Sequence, residues 1–277
     1  MTFALIFEAL QAPTPSKKLA LIRAIEQSSQ VLLESASSLI DSPSSEHIFS
    51  DIHSPIYPHK TPSYSGFCTI IHPAKIRRPK HIASKQSLAK LLHSIVHIEY
   101  SAIDLALDAM YRFRHLPLKY YCDWLIVALQ EAHHFELLEQ SLRALGYEYG
   151  DFAVHSQLFQ AQVATQQFDE RMALLHRGLE ANGLDANPFV AAKVKAFQHD
   201  ITPQILQTLE LILHDEIEHV QKGDFWWRYA NAKASSQDFL RILNKYKHLY
   251  TLPKILNTQA RLQAGFNDHE LKLMANP

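Results

Sequence analysis

Large apolar residues recur at alternating steps of three and four from Tyr121 through Trp124, Ala128, Phe135, Leu138 and Leu142 to Leu145, the period of a helix with one buried face. The same period runs through Leu88, Leu92, Ile95, Ala102, Ala106, Met110 and Phe113, and again through Ile205, Leu209, Ile212, Gly223 and Trp226. Breaks fall at His115–Pro117, Gly146–Gly150, Gly183–Pro188 and His199–Pro203, the last offering Asp200 or Thr202 as a cap with Pro203 in the first turn. The pattern therefore predicts four long helices near residues 85–114, 118–145, 155–182 and 203–231, and a shorter one near 189–199. Strand-type alternation is almost absent, so the fold class is all-α and a four-helix bundle is the economical architecture.

The flanks differ in texture. Residues 2–11 and 16–40 read as amphipathic helices, with Ser16 as an N-cap and an end near Asp41. From Ser42 to Ser84 the chain is dense in Pro, His and Ser, which denies regular helix and predicts an extended wrap. The expected organisation is an N-terminal helical segment (1–41), the extended segment (42–84), the bundle (85–231) and a C-terminal helical extension (232–277) broken at Pro253.

Three of the apolar stripes carry residues that do not belong on them. Glu131 and His134 occupy core positions of the second long helix, Glu99 interrupts the first, and Glu216 with His219 interrupts the fourth. Carboxylates converging on one bundle axis would be penalised by desolvation and mutual repulsion unless something positive sat between them. Ferritin-like di-iron bundles meet this condition with a Glu from each of two helices and a Glu-x-x-His from each of the other two. Glu131/His134 and Glu216/His219 supply the pairs and Glu99 one lone Glu, so the scheme asks for a carboxylate on the third helix. Glu180 is the candidate, with Glu170 and Asp169 as alternatives, and the stripe through Phe168, Met172, Leu175 and Leu179 is offset from Glu180 by one position. With Glu180 the order repeats as two hairpins, 32 residues from Glu99 to Glu131 and 36 from Glu180 to Glu216.

Four carboxylates and two imidazoles suit two divalent ions, iron foremost and manganese next, because hard oxygen ligands dominate and no cysteine competes. Gln130, Asp215 and His176 are candidates to support the ligands from outside, Asp215 by accepting the free ring N–H of an imidazole. His133, His214 and His97 flank the ligands as surface or supporting residues. The competing account is a buried salt-bridge cluster using Arg112, Arg143 or Arg171, a poor source of stability.

Composition narrows the functional classes. The 277 residues carry a formal charge of −1, so no global field favours nucleic acid or anionic membrane. The basic run at Lys75, Arg77, Arg78 and Lys80 is a local exception that could meet phosphates. Cys68 and Cys122 show no CxxC spacing and read as free thiols, Cys122 in the core. Without a leader pattern or an apolar span, the expected location is the cytoplasm. Phe225, Trp226, Trp227 and Tyr229 are expected to be bundle core.

HIEYSAIDLALDAMYRF at 97–113, DWLIVALQEAHHFELL at 123–138, LGYEYGDFAVH at 145–155, LEANGLDANP at 179–188 and HDEIEHV at 214–220 together resemble a bacterial ferritin-like domain family without an assigned function, distantly similar to the diiron tRNA hydroxylase. The resemblance implies Glu99, Glu131, His134, Glu180, Glu216 and His219 as ligands of two metal ions, and it favours Glu180 because the family pattern there is close to LEARGLD. Here Asn182 replaces the Arg of that pattern. The function expected is oxidation of a small molecule by activated dioxygen or peroxide, with an external electron donor, no catalytic side chain beyond the ligands and room for a homo-oligomer. The alternatives are a non-catalytic iron-buffering protein and a hydroxylase of tRNA bases.

Overall fold

The structure is a computed structural model that describes residues 2–30, 49–77, 79 and 81–275. Helices are the regular structure of the described residues, joined by turns and irregular chain, with one isolated parallel bridge between Ile70 and Val154. They divide into two compact units, Met1–Arg77 with Leu92–Ser156, and Arg78–Leu91 with Gln157–Pro277. Within the expected 16–40 helix, residues 31–40 lie outside the described residues, as does the start of the extended segment up to residue 48.

The first unit contains α1 (Phe3–Leu10), α2 (Pro15–Ser28), α3 (Lys85–Arg112) from Leu92 onward, and α4 (Leu118–Ala144). The Thr2 hydroxyl accepts the Leu5 N–H at 3.2 Å, and the Asp51 carboxylate accepts those of Phe3 (3.0 Å) and Ala4 (2.9 Å), so the first turn of α1 has its free donors satisfied. Helix α2 is capped by Thr14 rather than Ser16. Pro15 takes the first helical position, where its missing N–H removes nothing, and the cap must precede it.

Helix α3 is buried on every side from Ser101 to Tyr111. A stripe-bearing helix should present a solvated face, but here that face carries Asp104 and Asp108 and is covered. The fully buried Lys18 donates to the Ala9 carbonyl at 3.1 Å and to Asp104, which also accepts from Ser63 Oγ at 2.6 Å. Arg114 donates to the Ile52 carbonyl (2.9 Å) and the Ser54 carbonyl (2.7 Å) and lies 4.1 Å over the Phe3 ring. Along the described part of the Pro-rich segment Phe49, Ile52, Tyr64 and Cys68 are buried, while Ile56, Tyr57 and Ile70 are exposed. Helix α4 ends where Gly146 adopts φ +79° and the Gly146 and Tyr147 N–H groups cap the Arg143 and Leu142 carbonyls at 2.8 and 3.2 Å.

The second unit is built from α5 (Gln157–Ala164), α6 (Phe168–Arg171), a π-helical segment (Met172–Leu179), α7 (Glu180–Lys195), α8 (Thr202–Ala230), α9 (Ser236–Lys245), α10 (Thr258–Gln263) and α11 (Asp268–Ala275). Its third long helix departs from the expected 155–182. The chain breaks after α5, where the buried Arg171 donates to the carbonyls of Gln162 (2.6 Å) and Thr165 (3.0 Å) and so caps the helix end. It then runs helically from Phe168 to Lys195, straight through the break expected at Gly183–Pro188. Proline cannot bond the carbonyl four residues back, but Asn257 Nδ2 donates to that Leu184 carbonyl at 3.2 Å, which lets Pro188 stay inside the helix. Neither Asp200 nor Thr202 caps α8; the Thr202 hydroxyl donates to the Phe197 carbonyl at 2.8 Å instead.

The π-helical segment also accounts for the one-residue offset of the apolar stripe. Its i→i+5 winding inserts an extra residue between Met172 and Leu179, so a stripe counted at 3.6 residues per turn arrives one position early at Glu180. Residues Met172–Gly178 are all buried. Arg177, near their C-terminal end, lies 4.1 Å from the Phe239 ring and 4.3 Å from the Phe266 ring, with Asp224 Oδ1 at 2.6 Å and Glu270 Oε2 at 2.8 Å.

Candidate metal centre

In the first unit α3 contributes Glu99 and α4 contributes Glu131 and His134. One ligand atom from each lies within 4.8 Å of the others, and the residues are 4%, 0% and 0% exposed. His134 Nδ1 stands 3.3 Å from Glu99 Oε2 and 3.6 Å from Glu131 Oε2. Burial alone would lower the His134 imidazole, but the carboxylates of Glu131 and Glu99 outweigh it and push it up to about 12. That drive to place positive charge between the two carboxylates is met equally by a divalent cation, which would take the place of the proton on Nδ1, because a ligating imidazole is neutral. The hard oxygen donors and the convergent ring nitrogen fit such a cation, and this buried Glu/His group is able to hold one.

In the second unit the matching residues come from α7 and α8. His219 Nδ1 lies 3.7 Å from Glu216 Oε1, within 0.1 Å of the His134–Glu131 spacing. Two glycines set how α7 and the π-helical segment lie along α8. A Cβ built on Gly223 would fall 2.3 Å from the His176 carbonyl oxygen, and one on Gly183 would fall 3.9 Å from Glu216 Oε2. Residue 176 is thus beside 223 and residue 183 beside 216, an antiparallel register in which Glu180 falls opposite His219. The Glu180 side chain is 7% exposed, and its Oε1 lies 3.2 Å from His176 Nδ1. Glu170, the alternative on the same helix, turns instead to Lys245 and Tyr246.

The arginines of the salt-bridge account are engaged elsewhere. Arg112 pairs with Asp108, Arg143 with Glu139, and Arg171 caps α5. His133 and His214 are exposed, and Gln130 and Asp215 are half-buried. His97 is buried, with Nε2 2.7 Å from the His155 carbonyl and Nδ1 2.8 Å from the Tyr149 hydroxyl. The carbonyl can only accept, so Nε2 carries the hydrogen and Nδ1 accepts from Tyr149. Burial drops His97 to about 3 and keeps it neutral. This link, which fastens the 146–155 loop to α3 two residues from Glu99, has no periodic signal in the sequence. The His176–Glu180 contact had one, the i,i+4 spacing.

Neither cysteine is in a disulfide among the described residues, and both are buried, Cys122 at 1% exposure. Trp226 and Trp227 are core, whereas Phe225 and Tyr229 are about half exposed and correct the expectation that all four aromatics are buried. Of the basic run, Lys75 and Arg77 are exposed, while Arg78 and Lys80 lie outside the described residues. Among the described residues, no helix is long and apolar enough to cross a membrane.

The family model described as "Protein of unknown function (DUF455)" matches residues 11–272, and the chain belongs to that family. It is similar to an uncharacterized protein of Haemophilus influenzae, 40% identical over 203 residues, covering 69% of each chain. No solved structure matches it.

Proposed function

We propose that this member of the DUF455 family is a ferritin-like, dinuclear-metal oxidoreductase that acts on a small-molecule substrate with an external electron donor, iron being its metal and manganese the substitute. The observation that carries the reading is the buried trio Glu99, Glu131 and His134, with ligand atoms within 4.8 Å of one another, matched by the same residue types in the same order at Glu180, Glu216 and His219. Sealing two carboxylates from water beside a single imidazole is unfavourable for a structural core and favourable for a cation site.

In this reading each hairpin supplies two carboxylates and one imidazole, and the four carboxylates neutralise two divalent ions. Such a pair of ions, when bound, supplies the redox chemistry for activating dioxygen or peroxide. The chain's own part is to bind, orient and exclude water. His134 and His219 present Nδ1 toward their Glu partners, and the burial of Glu99, Glu131 and His134 keeps solvent away from them, their chain neighbours Tyr100 and Phe135 packing on each other with ring centroids 5.1 Å apart. No side chain need act as a nucleophile.

The test is metal stoichiometry by mass spectrometry on protein purified without chelator, in parallel with Glu131→Ala, followed by oxygen consumption with a reductant. Two iron or manganese ions per chain, lost in the variant, with oxygen uptake that continues past the stored reducing equivalents, is the expected outcome. Uptake that stops at one equivalent of bound iron would make the protein an iron buffer, and no metal even after anaerobic ferrous loading would end the reading.

A further inference from the structure

The two halves of the ligand set differ one turn before the lone glutamate of each. Four residues before Glu99 stands the apolar Ile95; four residues before Glu180 stands His176, fully buried, with Nδ1 3.2 Å from Glu180 Oε1. His176 also lies in the π-helical segment, a winding that is rare and concentrates at functional sites because it is less stable than the α-helix it interrupts.

The surroundings hold that segment in place. The His176 carbonyl oxygen packs where any side chain on residue 223 would be, and Gly178, two residues on, has Leu243 Cδ2 at 3.0 Å and Tyr250 Cε2 at 3.5 Å from its Cβ position. Arg177 between them is clamped by Asp224 and Glu270. The backbone carrying His176 therefore has no room to slide along α8, and its ring is delivered to Glu180 from a fixed point.

We propose that His176 is a positioning residue for Glu180: its Nδ1–H donates to the carboxylate, occupies one oxygen, and leaves the other to the ion of the second hairpin. A donor on a ligating carboxylate fixes its rotamer and withdraws charge from the metal. The residue four before Glu99 is Ile95, so a donor at this place belongs to the second hairpin, and the ion on the Glu180 side depends on His176 while the ion of the first hairpin does not. The inference rests on the dinuclear reading and deepens it.

The experiment is a titration of the metal-free chain with manganese(II), followed by electron paramagnetic resonance and calorimetry, on the wild type, His176→Ala, His176→Gln and His176→Met. The wild type should bind two ions. In His176→Ala one step weakens roughly 10–100-fold, the range for loss of a residue that orients a ligand, while the other step and the total of two ions persist. His176→Gln, which keeps an amide donor, recovers much of the loss, and His176→Met, which fills the space without donating, does not. If the alanine chain does not fold, the Gln and Met pair decides the same question. Two unchanged steps in both the Ala and Met variants would overturn the role of His176 and leave the dinuclear reading standing; a wild type that binds no metal would overturn both.

Discussion

The main chain of His176 occupies the space where a side chain on residue 223 would be, with the carbonyl oxygen 2.3 Å from a built Cβ. Helix α8 and the π-helical segment touch backbone to backbone at that point. Because Glu216 and His219 lie within two turns of Gly223 on α8, the contact sets the height at which they meet Glu180.

Gly223→Ala should therefore be among the most damaging small substitutions in the chain. Neither backbone can yield as a flexible side chain would, so the expected loss is about 1–3 kcal/mol or more, the range for forcing a methyl into a filled core. Gly66→Ala, whose Cβ meets nothing within 4 Å, should change stability by no more than about 0.5 kcal/mol. Urea unfolding of the two variants beside the wild type checks this, and equal midpoints would refute the close approach.

Glu131→Gln should separate stability from metal binding. Glu131 is fully buried beside Glu99, so in metal-free protein a neutral amide of the same shape removes like-charge repulsion and raises the melting temperature. With manganese at 100 times its dissociation constant the wild type should gain about 2.7 kcal/mol by mass action and overtake the variant. Melting curves with and without metal test the crossing; a variant less stable than wild type in the metal-free state would contradict it.

Stability should fall on acidification through a defined histidine. Burial lowers His93 to about 4, and its Nε2 accepts the Gly150 N–H at 2.9 Å, a bond the protonated ring cannot make. Between the ordinary value near 6.5 and about 4, the unfolded chain binds the extra proton and the folded chain does not. This contribution is complete above about 6.5 and is lost as the pH falls toward 4; His97, lowered to about 3, acts with the same sign over a wider window. His93→Gln should flatten the slope of unfolding free energy against pH across that range, and an unchanged slope would rule His93 out as its source.

Lys18 is the cation that pairs with Asp104 on the buried acidic face of α3, where Arg112 pairs with Asp108. Lys18→Met strands Asp104 and should cost about 3–5 kcal/mol, as removing one partner of a buried pair does, whereas Lys18→Met with Asp104→Leu should recover most of it. A double-mutant cycle measured by denaturant unfolding gives the coupling directly. Additive losses would mean the pair contributes little beyond its packing.

What the sequence determined by itself was the helical period, and with it the all-α class and the placement of Glu99, Glu131, His134, Glu216 and His219 on the buried stripes of their helices. Periodicity reports such positions because a helix repeats locally, every three or four residues, whatever it packs against. Tertiary structure decided the rest. Pro188 stays helical because Asn257, 69 positions later, satisfies the carbonyl that the proline leaves open. The face of α3 that bears Asp104 is covered because Lys18 and Ser63 come from outside the helix to pair with it. Glu180 falls out of step with its own stripe because the π-helical segment adds a residue, held in place by a glycine on another helix. Local period carries no record of such partners, and a buried polar group is settled only by what reaches it from elsewhere in the chain.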